Sequence, residues 1–185
     1  MPTTTFIAFL RAINVGGHTV RMDRLRGLFV DLGFAHVQTF IASGNMIFES
    51  SARSAPALEA KIQKHLRAAL GYDVTTFVRS RAELKEIAAH QPYPAKELAG
   101  QSASLYVAFL QSEPAPESVE RLLTFRTPTD DFVVHRREVY WLCRTRFSDS
   151  SFSGARLEKV LKLPATIRSA TTVQKLAAKH CTDCA

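Results

Sequence analysis

Apolar positions along the chain switch between two periods, and the switches predict its elements. Phe6 to Leu10 is a short continuous apolar run that suits a buried strand. From Met22 to Leu32 the period lengthens: Leu25, Leu28, Phe29 and Leu32 fall at i, i+3, i+4 and i+7, and Gly33 follows where a helix C-cap glycine belongs. Val37–Ile41 and Met46–Phe48 read as strands around a hairpin turn at Ser43-Gly44-Asn45. Pro56 opens a helix with Leu58, Ile62, Leu66 and Leu70 on one face, Gly71 closes it, and Val74–Val78 is a further strand.

The order over residues 5–80 is therefore β-α-β-β-α-β, the split βαβ of a ferredoxin-like fold. That topology has a geometric consequence. The loop after the first strand and the hairpin between the second and third sit at the same end of the sheet. Gly16-Gly17 and Ser43-Gly44-Asn45 are thus expected to be neighbours in space.

The second half repeats the order. Ser80-Arg81-Ala82-Glu83 has capping-box spacing at a helix start, with Leu84, Ile87 and Ala88 on the apolar face. Gln91 to Gly100, with Pro92 and Pro94, reads as a linker. Ser104–Leu110 is a strand and Glu117–Phe125 a helix; Phe132–Val134 and Val139–Leu142 form a hairpin whose tip is His135-Arg136-Arg137-Glu138. Ala155–Leu163 is helical, and Thr171 with Gln174 gives a second capping box before a last helix reaching about His180. The prediction is an α+β protein of two ferredoxin-like (βαββαβ-type) halves with antiparallel sheets. They span residues 1–80 and 81–185, the second carrying extra helices, as a structural duplication without sequence repetition.

Bulk properties narrow the setting. With 185 residues, 46% hydrophobic and 22% charged, the chain belongs among globular proteins, and no run approaches the length of a membrane span. The N-terminus lacks the basic and apolar regions of a signal peptide. Three cysteines, two of them within the last five residues, make no disulfide framework, so a reducing, cytoplasmic setting is expected. The net charge is +7, and residues 131–185 carry ten basic against five acidic side chains. An excess of that kind attracts phosphate or nucleic acid, although no dense Lys/Arg block is present.

Candidate chemistry falls on a few segments. In Leu10-Arg11-Ala12-Ile13-Asn14-Val15-Gly16-Gly17, two glycines permit close approach to the backbone amides, and Arg11 suits a carboxylate or phosphate by two parallel hydrogen bonds. The plainer account is a strand-to-helix loop with Arg11 paired locally. Ser43-Gly44-Asn45 offers a hydroxyl, amides and a side-chain amide, and is equally what a hairpin turn requires. Arg168-Ser169-Ala170-Thr171-Thr172 precedes the last helix, whose N-terminal turn suits an anion unless capping alone occupies its donors. No G-x-x-x-x-G-K-S/T, G-x-G-x-x-G or G-x-S-x-G occurs, so common nucleotide sites and the hydrolase elbow are unsupported and no cofactor is called for. Cys181 and Cys184 have the spacing of half a zinc site, but no second pair of ligands is near in sequence. The histidines make no metal motif; His18 is set apart only by following the paired glycines. Phe6, Phe9, Phe40 and Phe48 lack the surrounding motif of an RNA-binding sheet and read as core.

The Leu10–Gly17 segment, Met22 and Leu25, Gly33-Phe34, and Ser43-Gly44-Asn45 to Phe48 resemble the domain of unknown function 1697 family. Thr166–Thr172, followed by Val173 and Lys175-Leu176, resembles that family's C-terminal motif, so the similarity runs over nearly the whole chain. Ala12 stands where the family usually has glycine, and Ser169 where it usually has asparagine. The resemblance implies a two-part α/β bacterial protein of ferredoxin-like halves. It implies no activity.

The functional expectation is a binding protein for a small phosphate-bearing or other anionic ligand. Its candidate residues are Arg11, Asn14, Gly16, Gly17, Ser43, Gly44, Asn45, Arg168 and Thr172. The rival is nucleic-acid binding through Arg136, Arg137, Arg144 and Arg146 on the basic hairpin. An enzyme using His18 or Ser43 ranks last, because no oriented nucleophile–base pair is legible.

Overall fold

β1 (Thr4–Leu10) is the strand around which the first half is built. The computed structural model describes residues 3–14, 19–41, 44–99 and 103–181. The chain divides into two compact units, Met1–Lys85 and Glu86–Ala185.

In the first unit β1 is followed by α1 (Met22–Asp31), β2 (Ala35–Phe40), β3 (Asn45–Ser50), α2 (Ala55–Leu70) and β4 (Thr76–Ser80). The strands form one antiparallel sheet in the order β2-β3-β1-β4, which is the ferredoxin-like arrangement. One face carries Phe6, Ala8, Leu10, Met46, Phe48 and Val78 against Leu25 and Phe29 of α1 and Leu58, Ile62 and Leu66 of α2. Ile7, Phe9, Ile47 and Phe77 point the other way and are also buried. Burial on both faces explains why Phe6–Leu10 shows no polar alternation.

The helix ends follow the expected chemistry. Gly33 takes φ +79 just past α1, and Gly71 takes φ +82 as the C-cap of α2, conformations that a side chain would strain. Several boundaries differ from expectation: β4 runs Thr76–Ser80, two residues later than the expected Val74–Val78. β2 starts at Ala35 and carries a bulge before Gln38, and Ile41 leaves the strand at φ +50 rather than ending it. Asn45 belongs to β3, opposite Phe40, and not to the turn.

α3 (Arg81–Ala89) contains the break between the two units. The expected linker holds a short helix, α4 (Ala95–Leu98). The second unit continues with β5 (Ser104–Leu110), α5 (Pro116–Leu123), β6 (Asp130–His135), β7 (Glu138–Cys143), α6 (Gly154–Leu161), β8 (Ala165–Ser169) and α7 (Ala170–His180). Its sheet has the order β6-β7-β5-β8, again antiparallel throughout. β8 completes the second ferredoxin-like half and is absent from the sequence expectation. The second capping box is also corrected: α7 begins at Ala170, and its N-cap is Ser169, whose Oγ accepts from the Thr172 amide at 3.2 Å.

The duplication extends to residues, contrary to expectation. Phe6-Ile7-Ala8-Phe9-Leu10 of β1 matches Tyr106-Val107-Ala108-Phe109-Leu110 of β5. Phe9 pairs with Asn45 and Phe109 with Glu138; Ile7 pairs with Arg79 and Val107 with Arg168. The Leu10 amide donates to Gly44 O at 2.8 Å, and the Leu110 amide to Arg137 O at 2.9 Å.

Candidate functional site

The end of the first sheet at which β1 finishes brings together two of the predicted segments. The Leu10 amide bonds to Gly44 O, and the Arg11 amide donates to Thr75 O at 2.9 Å. The chain after β1 is thereby held between the β2–β3 turn and the entry to β4. Contact at the turn is close enough to demand glycine: a Cβ on Gly44, at φ +71, would lie 2.4 Å from Cγ2 of Ile13. Ala12 and Asn14 take φ +59 and Ile41 takes φ +50, so left-handed backbone is concentrated here. Ala12 therefore occupies a conformation natural to the glycine usual in the family it resembles.

The two asparagines hold backbone. Asn14 Oδ1 accepts from the Val20 amide at 2.6 Å, bracing the loop against the approach to α1. Asn45 is fully buried, and its Nδ2 donates to Phe40 O at 3.1 Å across the turn. Arg11 is partly exposed at the same end. Gly16, Gly17, His18 and Ser43 lie outside the described residues.

Arg168 and Thr172 belong to the second unit, at the β8–α7 junction. Arg168 Nη1 donates to Thr166 Oγ1 and to Ile167 O, each at 2.9 Å. Burial lowers its pKa to about 10, because a desolvated guanidinium is harder to keep charged. Ser169 caps α7 and its hydroxyl lies 2.9 Å from that of Thr172. Serine and the family's usual asparagine both serve as N-caps, so this departure keeps the helix start intact.

Arg79 is the residue that sequence reading missed. It occupies in β4 the register position of Arg168 in β8, is only 1% exposed, and donates from Nη1 to Val78 O at 2.9 Å. Each arginine is followed by a serine that caps the next helix. Ser80 does so within a complete capping box: the Glu83 amide donates to Ser80 Oγ at 3.2 Å, and the Ser80 amide to Glu83 Oε2 at 2.7 Å. The signal was the repeat of Val78-Arg79-Ser80 as Ile167-Arg168-Ser169.

The basic hairpin is partly compensated by acids and carbonyls. Arg136 pairs with Glu86 at 3.0 Å, and Arg144 pairs with Glu97 of α4 and lies 3.8 Å from Asp131. Arg137 donates to Gln111 O at 3.4 Å, while Arg146 is exposed. Behind this hairpin Asp130 is fully buried, accepting on Oδ1 from Trp141 Nε1 and Ser150 Oγ, both at 2.8 Å. Among the described residues no three His, Cys, Asp or Glu side chains gather as a metal site. Cys181 is buried at the end of α7, and Cys184 lies outside the described residues.

Each unit has an open cleft among its described residues. One of about 630 Å³ sits at the opposite end of the first sheet, lined by Thr4, Phe6, Ser51, Arg53, Ser80 and Glu83 among others. The other, about 560 Å³, lies between α5 and the end of α6. No helix among the described residues is long and apolar enough to cross a membrane.

Residues 3–140 match the family described as "Protein of unknown function (DUF1697)". The Thr166–Thr172 segment lies beyond the matched residues. Among solved structures the chain is similar to the conserved bacterial protein SP0830 from Streptococcus pneumoniae, with TM-score 0.71 and 24% identity over 96% of this chain and 98% of that one. At that identity the likeness carries the fold alone. No functionally curated protein matches the sequence.

Proposed function

The chain belongs to the DUF1697 family of proteins of unknown function, and from that premise we propose that it binds a small anionic, phosphate-bearing ligand where β1 ends. One observation carries this reading. Ala12, Asn14 and Ile41 hold left-handed backbone beside Gly44 at a single end of the first sheet. Such conformations cost of order 1–3 kcal/mol each and gather where loops are shaped for a ligand. Ile41 is the strongest case, since a β-branched residue rarely adopts φ +50 and this one is more than half exposed.

In this reading Arg11 supplies charge and Gly16, Gly17 and Ser43 supply amides and a hydroxyl. Asn14 and Asn45 fix the loop and the turn through their bonds to Val20 and Phe40. Arg168 and Thr172 are a second basic segment of the same expected chemistry in the other half.

A thermal-shift panel of sugar phosphates, nucleotides and short single-stranded oligonucleotides, at low and moderate salt, tests the assignment. A ligand that binds only the native state must raise Tm. The expected result is a salt-tolerant shift with one small phosphate that disappears in Arg11→Ala. A shift kept in Arg11→Ala places the site elsewhere. A shift with oligonucleotides alone, vanishing as salt rises, transfers the function to the basic hairpin.

A further inference from the structure

Where α3 ends, four contacts tie it to the β6–β7 hairpin. His90, one residue past the helix, stacks on His135 with ring centroids 4.5 Å apart and planes only 15° from parallel. Its ring also meets Tyr140 at 4.7 Å. Tyr140 reaches back through its hydroxyl to Ile87 O at 3.2 Å, and Arg136 pairs with Glu86 at 3.0 Å. Glu86, Ile87 and His90, at and just past the end of α3, thus meet His135, Arg136 and Tyr140 of one hairpin.

Two neutral imidazoles stack favourably, whereas two imidazolium rings at this separation repel. The other ionisable groups around the stack are few. From the hairpin they are Arg136, Glu138 and Tyr140; from α3 itself, Glu86. α7 contributes Ala170, Val173 and Gln174 to the small cavity that His90 and Tyr140 line, none of them charged. Arg136 and Glu86 neutralise each other, and Glu138, opposite His135 in the hairpin register, is the remaining carboxylate beside the pair.

We propose that this junction is a proton-released latch, closed while His90 and His135 are neutral and opened when both take up protons. The arrangement favours neutral rings for a second reason: His90 Nε2 is buried with no hydrogen-bond partner among the described residues, so a proton placed there meets no acceptor from them. In keeping with this, burial and, next, the charge of His135 lower the pKa of His90. The sign follows by linkage. A base with a depressed folded-state pKa stabilises the docked form above the ordinary imidazole range, and that contribution is lost as pH falls through the folded value. The end of α3 adjoins the break between the two units of the chain, so the latch acts on the segment that connects them.

Two measurements on the full-length protein test this. Hydrogen exchange, corrected for the intrinsic pH dependence of amide exchange, is followed for residues 86–91 between pH 7.5 and 5.0. Protection is expected to fall at least tenfold in the wild type and to change less than threefold in His135→Phe, which keeps an aromatic stack but cannot take a proton. NMR titration of the wild-type histidines gives a reading that needs no variant: His90 should titrate below the ordinary imidazole value of 6.5. In His135→Phe the His90 midpoint should move upward. Flat protection in the wild type, an equal fall in both proteins, or a His90 midpoint at or above that ordinary value overturns the latch.

Discussion

The two halves of this chain are built to one plan and finished differently. Both place an Ala-Phe-Leu strand end at the centre of a four-stranded sheet, and both bond the final leucine amide to the turn of the neighbouring hairpin. Both follow a buried or half-buried arginine in the last strand with a serine that caps a helix. In the first half residues 11–21 separate the strand from its helix and meet a turn so close that only glycine fits. In the second half residues 111–115 make the same connection, and the turn is two arginines, one of them at φ +53. Each half thus serves as a control for the other. What they share is needed for the sheet; what only the first half has is the close approach of Ile13 to a glycine turn, with Ala12, Asn14 and Ile41 left-handed beside it. That contrast is the physical basis for proposing a ligand site there.

The comparison breaks most visibly at the turns. Gly44→Ala inserts a methyl 2.4 Å from Ile13 into left-handed backbone. Overpacking and conformational strain together predict a loss of about 3 kcal/mol in chemical denaturation. Arg137→Ala, at the matching place in the second half, should cost about 0.5 kcal/mol or less, because its side chain makes a long bond to Gln111 O. Equal costs would show that the first turn is no more constrained than the second.

A feature with no counterpart in the first half ranks next. Asp130→Ala removes the acceptor of Trp141 Nε1 and Ser150 Oγ in a fully buried setting. The expected destabilisation is about 2 kcal/mol, from donors left unsatisfied, with a change in tryptophan fluorescence because the chain has a single Trp. An unchanged denaturation midpoint would mean that water replaces the carboxylate at no cost.

The shared caps should behave alike. Ser80→Ala and Ser169→Ala each remove a side-chain acceptor from a helix start, at a cost of about 1 kcal/mol each by thermal or urea unfolding. A cost at one junction only would undercut the equivalence of the two halves there. The smallest effect sharpens the reading of the first loop. Alanine-to-glycine changes ordinarily destabilise by roughly 0.5–1 kcal/mol. At Ala12, with φ +59, relief of left-handed strain should reverse the sign and stabilise by about 0.5 kcal/mol. An ordinary loss on Ala12→Gly would show that the loop imposes no such strain.

Sequence periodicity alone determined most of the architecture. Unbroken apolar runs at Phe6–Leu10 and Val107–Leu110 are legible because a strand covered on both faces has no polar alternation. The helices at Met22–Asp31 and Ala55–Leu70 are legible because their core stripes repeat at 3.6 residues and glycine ends them. The Ser80–Glu83 capping box needs only local geometry and could be read directly. β8 could not: Ala165 and Ile167 are too small a pattern, and the segment is a strand because β5 offers it an edge of unpaired backbone groups. For the same reason α7 is capped by Ser169, where the strand releases the chain, rather than by the equally suitable Thr171.

The candidate site divides along the same line. That the loop after β1 meets the Gly44 turn follows from topology, and topology follows from element order. Which side chains serve the backbone was beyond sequence, since Asn14 and Asn45 are committed to Val20 and Phe40 by contacts that exist only once the loops are packed. The same holds for the partners of Arg136 and Arg144: each finds its acid roughly fifty residues away in sequence. Periodicity reports which face of an element avoids water, and that is a local property. The partner of a charge or an amide is set by where two distant segments finish, and only the folded chain fixes that.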